Sequence, residues 1–194
     1  MISISNNKIY NVAITGLPSS GKTTIAEKLE NVGYEHISND KVRRDIFNGR
    51  SPFELEKYEW YILYSEANLR KYLQNLKGNN VVSDNCSYNE CLRRITLHTS
   101  PELLKYLTET GQELVRYLID LKVDKDELEK RNKKRGRTGE KSDQYNDWLY
   151  ENWEDAQDFE DGFGSVHAFT YNNNTKNDRE HILENLSELL NIEI

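Results

Sequence analysis

The residues best suited to chemistry lie near the amino end, where Gly16-Leu17-Pro18-Ser19-Ser20-Gly21-Lys22-Thr23 fits GxxxxGK[ST] at every fixed position. A polyphosphate carries several negative charges in close array. Backbone N–H groups at the start of a helix solvate that charge without having to move. Gly16 and Gly21 let the chain wrap closely, with Ser19, Ser20 and Thr24 beside them. Lys22 places a point charge on the β- and γ-phosphates, and the Thr23 hydroxyl ligates Mg²⁺. The motif therefore reads as a binding site for a nucleoside triphosphate, ATP with Mg²⁺.

Two further acids end apolar runs. Asp40, in Ile37-Ser38-Asn39-Asp40-Lys41-Val42-Arg43-Arg44, can accept the proton of an attacking hydroxyl, with Arg43 one helical turn on; a helix N-cap role is equally open to it. Asp84 closes Val81-Val82-Ser83-Asp84-Asn85 and reads as an acceptor-side residue, a water-mediated Mg²⁺ ligand or a loop cap. Further along, Lys130-Arg131-Asn132-Lys133-Lys134-Arg135-Gly136-Arg137 packs six cations into eight residues. That run reads as a solvated or nucleic-acid-facing patch, or as a lid. In the lid reading Arg131 and Arg135, four apart on one helix face, brace the γ-phosphoryl group while Gly136 and Gly139 hinge. Asn132-Lys133-Lys134-Arg135 lacks the acid of a guanine-reading NKxD. Cys86 and Cys91 lack CxxC spacing and read as small, partly buried residues; His36, His98, His167 and His181 form no ligand pattern.

The elements that must position these residues follow from patterning. Strands are expected at Ile9–Thr15, Tyr34–Ser38, Val81–Asp84, Leu114–Leu121 and Val166–Tyr171. Helices are expected at Lys22–Asn31, Asp40–Asn48, Pro52–Leu76, Asn89–Glu109 with a break at Pro101, Asp124–Lys134, Ser142–Glu160 and Asp178–Leu190. Strands and helices alternating at this spacing give an α/β fold, a mainly parallel five-stranded sheet flanked by helices. The organisation expected is one domain over 1–194, with a basic lid at about 124–141 and an acidic helical segment at about 142–161.

Composition narrows the class. Hydrophobic residues make up 36%, charged residues 30% and aromatics 10%, enough for a packed core. No apolar run reaches the roughly 18 residues of a membrane span, and the first eight residues lack the regions of a signal peptide, so a cytoplasmic location is expected. The net charge of −7 is uneven: residues 142–175 hold eight acids and no Lys or Arg. This block reads as a solvated helix face or as a surface that repels polyanions. Strong nonspecific grip on nucleic acid is excluded by that balance. The length also leaves no room for the extra elements of a motor or AAA-type ATPase.

Taken in order, the loop at 16–23, Asn39-Asp40-Lys41-Val42-Arg43, Val82-Ser83-Asp84-Asn85 with Arg93-Arg94, and the run at 130–136 resemble the 5′-kinase domain of phage-type polynucleotide kinase and its P-loop kinase relatives. The resemblance covers roughly residues 9–175. It implies a P-loop kinase fold, Asp40 as general base, Arg43 on the acceptor's phosphate, and Arg131 and Arg135 as lid arginines. It also implies that Asn172-Asn173-Asn174, and Asn173 in particular, lies near adenine. The reaction expected is transfer of the γ-phosphate of ATP to a hydroxyl, first of all the 5′-OH of a polynucleotide or oligonucleotide. The alternative acceptor is a small nucleoside, nucleotide, modified base or adenylylsulfate-like metabolite. A non-catalytic ATP-binding module is the third reading, and Asp40 with a complete lid argues against it.

Overall fold

A computed structural model describes residues 7–136 and 139–194. The first strand, β1 (Lys8–Gly16), is buried along nearly its whole length, as a central parallel strand must be. Its alternating side chains feed two layers. Tyr10, Val12 and Ile14 pack against Ile25, Ala26 and Leu29 of α1 (Lys22–Asn31) and Ile182, Leu186 and Leu190 of α8 (Lys176–Leu190). On the other face Ile9 meets Leu103 and Leu107 of α5 (Pro101–Glu109), while Ala13 packs near Leu97.

The remaining strands are β2 (Glu35–Ser38), β3 (Val81–Asp84), β4 (Glu113–Lys122), β5 (Phe159–Asp161) and β6 (Gly164–Asn172). They form one sheet in the order β2-β3-β1-β4-β6-β5. The first five run parallel and β5 is antiparallel to β6, so the sheet has six strands rather than five. The extra edge is held by charge. Arg116 on β4, almost fully buried, donates to both carboxylate oxygens of Asp161 at 2.8 and 2.7 Å and to the Gly164 carbonyl at 2.6 Å.

The helices differ from expectation at two places, and the break expected at Pro101 is present. Pro52–Glu54 forms a 3₁₀ turn before α3 (Lys57–Leu76), because the chain is extended at Leu55 and Glu56. The break at Pro101 separates α4 (Glu90–Thr96) from α5, which Ser100 caps by accepting from Leu103 N–H. The acidic segment is helical only to Glu151, as α7 (Glu140–Glu151), and then runs irregularly into β5. Its acids are not simply solvated: Asp147 pairs with Lys125 at 2.8 Å, and Glu154 and Asp158 accept from the backbone N–H groups of Glu90 and Ala168. The other helices are α2 (Asn39–Ile46) and α6 (Lys125–Lys134). Among the described residues no helix is long and apolar enough to cross a membrane.

This topology brings Gly16, Ser38 and Asp84, the carboxyl ends of β1, β2 and β3, to one edge of the sheet. In open α/β sheets that edge is where ligands are held.

Candidate active site

The loop after β1 is a strained turn held open for an anion. Gly16 has φ +150°, and a Cβ there would sit 2.7 Å from the Leu121 carbonyl oxygen. Gly21, at φ +98°, begins α1, and its missing Cβ would fall 2.4 Å from Asn173 Nδ2. Ser19 adopts the left-handed conformation at φ +66°; its hydroxyl donates to Asn132 Oδ1 at 2.6 Å, which offsets the strain. Lys22 Nζ bonds the carbonyls of Gly16 and Leu17 at 2.7 and 2.8 Å, so the cation is already inside the turn.

Thr23 points along the sheet edge and donates to Asp84 Oδ2 at 2.6 Å. His36 Nε2 lies 3.2 Å from the other carboxylate oxygen. Burial alone would raise the Asp84 carboxyl, but hydrogen bonds from His36, Thr23 and Ser38 outweigh it and hold the group at about 2. Asp84 is thus an anion at every working pH. In this structure it is bonded to the Thr23 hydroxyl and lines the cavity beside it. A hydroxyl and a carboxylate so placed are the hard oxygen donors that suit Mg²⁺, which takes one or two protein groups plus phosphate oxygens. Ser20 Oγ, fully buried behind them, has no protein partner among the described residues.

A cavity of about 480 Å³ runs from this cradle to the acceptor side. Lys22, Thr23, Thr24, Asp84, Asp40, Arg43 and Arg135 all line it. Asp40 is the second residue of α2, and Ser38 holds the N-cap position, so the capping role is not what Asp40 performs. Its side chain is 61% exposed, toward the cavity it lines. Arg43 Nη2 reaches Asp40 Oδ1 at 3.5 Å and Nη1 donates to the Arg50 carbonyl, while Nε is buried with no protein partner among the described residues. Facing these is an aromatic wall. Phe53 and Tyr145 meet edge-on with ring centroids 5.2 Å apart, and Trp60 and Tyr64 lie 6.5 Å apart. Burial pushes the Tyr64 and Tyr145 phenols up, so both stay neutral donors.

The two lid arginines part company. Arg135 is the C-cap of α6 and turns into the cavity. Arg131, one turn earlier, does not line the cavity. It is held by Glu127 at 2.8 Å and donates to the carbonyls of Asn173 and Asn174 at 2.7 and 2.8 Å, with Ser19 O at 3.5 Å. Of the two, the structure brings Arg135 to the cavity, while Arg131 laces the cradle to the turn after β6. Asn173 meets the cradle too. Its side chain is fully buried and donates to the Ser20 carbonyl at 2.7 Å, supporting the cradle from behind rather than facing a base. Arg137 lies outside the described residues, and Cys91 is exposed rather than partly buried.

Several site residues escaped the sequence reading. His36 belongs to no ligand pattern, and its place two residues before the carboxyl end of β2 is the signal that sets it at this edge. Asn132, quoted within the basic run, carries the Ser19 hydroxyl. The aromatic wall had no motif to reveal it. Among the described residues no three His, Cys, Asp or Glu side chains cluster as a metal cage.

Residues 12–155 match the sequence profile of the AAA domain family. No curated protein matches the chain in sequence. Among solved structures it is similar to a sugar kinase from a Janibacter species, with TM-score 0.65, 15% identity and 95% of each chain covered. It is similar to a gluconokinase from Sinorhizobium meliloti, with TM-score 0.53, 16% identity, and 92% of this chain and 96% of that one covered. A tunicamycin resistance protein from Deinococcus radiodurans gives TM-score 0.58 at 11% identity, covering 95% and 97%. At these identities the likeness is one of fold, that of P-loop kinases. The AAA name of the profile runs against the exclusion drawn from length.

Proposed function

The chain belongs to the AAA domain family, and from that premise we propose that it is an ATP-dependent kinase of a small, ring-bearing hydroxyl compound such as a sugar or nucleoside. The observation that carries the reading is the single cavity of about 480 Å³ in which the phosphate cradle, the Asp40 carboxylate and an aromatic wall meet. The cradle N–H groups and Lys22 hold the β- and γ-phosphates of ATP. Mg²⁺, held by Thr23 and Asp84, neutralises charge on the phosphate oxygens when bound. Asp40 takes the proton of the acceptor hydroxyl as its oxygen bonds to the γ-phosphorus, and the bond to the β–γ bridging oxygen breaks to release ADP. Arg135 faces the equatorial oxygens, where charge spreads in the transition state.

The aromatic wall sets the acceptor class. Phe53, Trp60, Tyr64 and Tyr145 offer flat apolar surface to one face of a ring. The Tyr145 phenol, kept neutral by burial, stands beside them as a hydroxyl donor. A 5′-OH polynucleotide fits the Asp40–Arg43 spacing, but the chain carries −7 overall and Arg43 is spent on Asp40 and the Arg50 carbonyl. Two of the named neighbours are a sugar kinase and a gluconokinase, which also supports the small acceptor.

The test is transfer of labelled γ-phosphate from ATP to a panel of free sugars, polyols, nucleosides and 5′-OH oligonucleotides. Turnover of a free sugar or nucleoside, with Phe53→Ala raising its KM roughly tenfold and sparing KM for ATP, supports the reading. Labelling of oligonucleotide ends alone overturns it.

A further inference from the structure

On the opposite side of β1's edge from the cradle, the layer under α3 carries polar residues where an apolar core is expected. The inward stripe of α3 reads Leu63, Ala67, Lys71, Asn75, one residue per turn and all buried. The first two join the apolar core; the last two do not. β1 does the same, placing Asn11 between Ile9 and Ala13 on that face. With Thr99 from the link between α4 and α5, these side chains line a cavity of about 400 Å³ that shares no lining residue with the catalytic one.

The groups in it are unusually buried and incompletely bonded. Asn11, Lys71, Asn75 and Thr99 are 8%, 6%, 1% and 3% exposed. Asn11 Oδ1, Asn75 Oδ1 and Thr99 Oγ1 have no protein hydrogen-bond partner among the described residues. Asn75 Nδ2 donates to the Asn79 carbonyl at 3.1 Å, which fixes its oxygen toward the cavity side. Lys71 Nζ spends one of its three protons on the Thr96 carbonyl. Burial pushes Lys71 down to about 7, with no acid to hold it up. His98 and Glu102 stand exposed at the mouth. Buried polar atoms left unpaired are costly, and a fold keeps several together only where something else bonds them.

The complement of this set has two parts. An ammonium and a hydroxyl call for an oxyanion, while two unpaired amide oxygens call for hydroxyl donors. We propose that this cavity is a second, non-catalytic binding site for a small hydroxylated oxyanion, phosphate in its protonated forms or a hydroxycarboxylate. Lys71 and the Thr99 hydroxyl donate to the charged oxygens; Asn11 and Asn75 accept from the hydroxyl groups. The ring-stacking wall of the catalytic cavity has no counterpart here, so the ligand is smaller and more polar than the proposed acceptor. The site stands independently of the acceptor's identity.

The test is calorimetric titration of the full chain with inorganic phosphate and, separately, with glycerate, against chloride at matched ionic strength. Saturating Mg²⁺ and a non-hydrolysable ATP analogue keep the cradle filled throughout. Expected is one equivalent of phosphate or glycerate bound per chain, with affinity lowered roughly tenfold or more by Lys71→Met and by Thr99→Val. Affinity for the ATP analogue stays unchanged in both variants. Phosphate binding alone marks the site as one for phosphoryl compounds, and glycerate binding alone marks it as one for hydroxycarboxylates. Absence of binding for both up to about 20 mM, or binding that both variants retain, overturns the proposal. Should Lys71→Met fail to fold, Thr99→Val, which changes one hydroxyl to a methyl, decides alone.

Discussion

Replacing Gly21 by Ala tests what Asn173 does. The backbone at Gly21 has φ +98°, where an L side chain costs about 1–2 kcal/mol. The added methyl would stand 2.4 Å from Asn173 Nδ2, so that amide must leave. It then gives up its 2.7 Å bond to the Ser20 carbonyl in a fully buried site, at about 1–3 kcal/mol. The two parts together give about 2–5 kcal/mol, a large share of the 5–15 that typically hold a domain folded. Urea unfolding of four proteins reads it: wild type, Gly21→Ala, Asn173→Ala and the double variant. With Asn173 already truncated the methyl has room, so Gly21→Ala should then cost only its backbone part, about 1–2 kcal/mol. The cycle should therefore show a coupling of about 1–3 kcal/mol. Asn173→Ala should also weaken ATP and GTP by the same factor, since the side chain supports the loop and not a base. Additivity within about 0.5 kcal/mol would refute the argument. So would a changed ATP-to-GTP preference with stability untouched, which would restore the adenine contact implied by the polynucleotide-kinase resemblance.

Three further outcomes follow from the site. Asp40→Asn keeps shape but cannot take a proton, so kcat should fall roughly 10²–10⁴-fold with nucleotide affinity nearly unchanged in single-turnover and binding assays. Arg135→Lys keeps the charge and loses the planar fork, so kcat should fall by a larger factor than ATP affinity does. Asp84 is held at about 2, below its unfolded value near 3.8, so it stabilises the fold above that unfolded value and the contribution disappears as pH falls toward 2. Unfolding free energies from urea titration of wild type and Asp84→Asn should accordingly differ by about 2 kcal/mol at pH 6 and converge below about pH 2; a gap independent of pH would remove the ion from the account.

The parallel core was legible because its signals are local. Val81–Asp84 is an uninterrupted buried run closed by an acid, and the strand spans those same residues. The helix after Gly21 starts at Lys22, where the motif requires it. The sixth strand was not legible for the opposite reason. Phe159–Asp161 lies in an acidic stretch with no alternation, and it is a strand because Arg116, 45 residues earlier, holds Asp161 from inside the sheet. A bond of that reach leaves no periodic trace. The same holds for the acidic block, whose charges looked solvated until Lys125 and the backbone N–H groups of Glu90 and Ala168 were found opposite them.

The candidate site divides along the same line. Lys22, Thr23 and Asp40 end or follow strands that a parallel sheet brings to one edge, so spacing and topology alone could gather them. Arg131 and Arg135 could not be separated by spacing, because four residues on a helix mean one face only while the helix lasts. Here the helix ends between them: Arg135 is the C-cap and swings into the cavity, and Arg131 stays on α6 to bind the carbonyls of Asn173 and Asn174. The acceptor wall was the least visible part. Phe53 comes from a 3₁₀ turn, Trp60 and Tyr64 from α3, and Tyr145 from α7, and none stands in a motif. Motifs follow the phosphates, because every nucleotide kinase must solve that same charge problem. What distinguishes one acceptor from another is written in side chains that meet only after folding, and Phe53, Trp60, Tyr64 and Tyr145 are brought together from three separate elements.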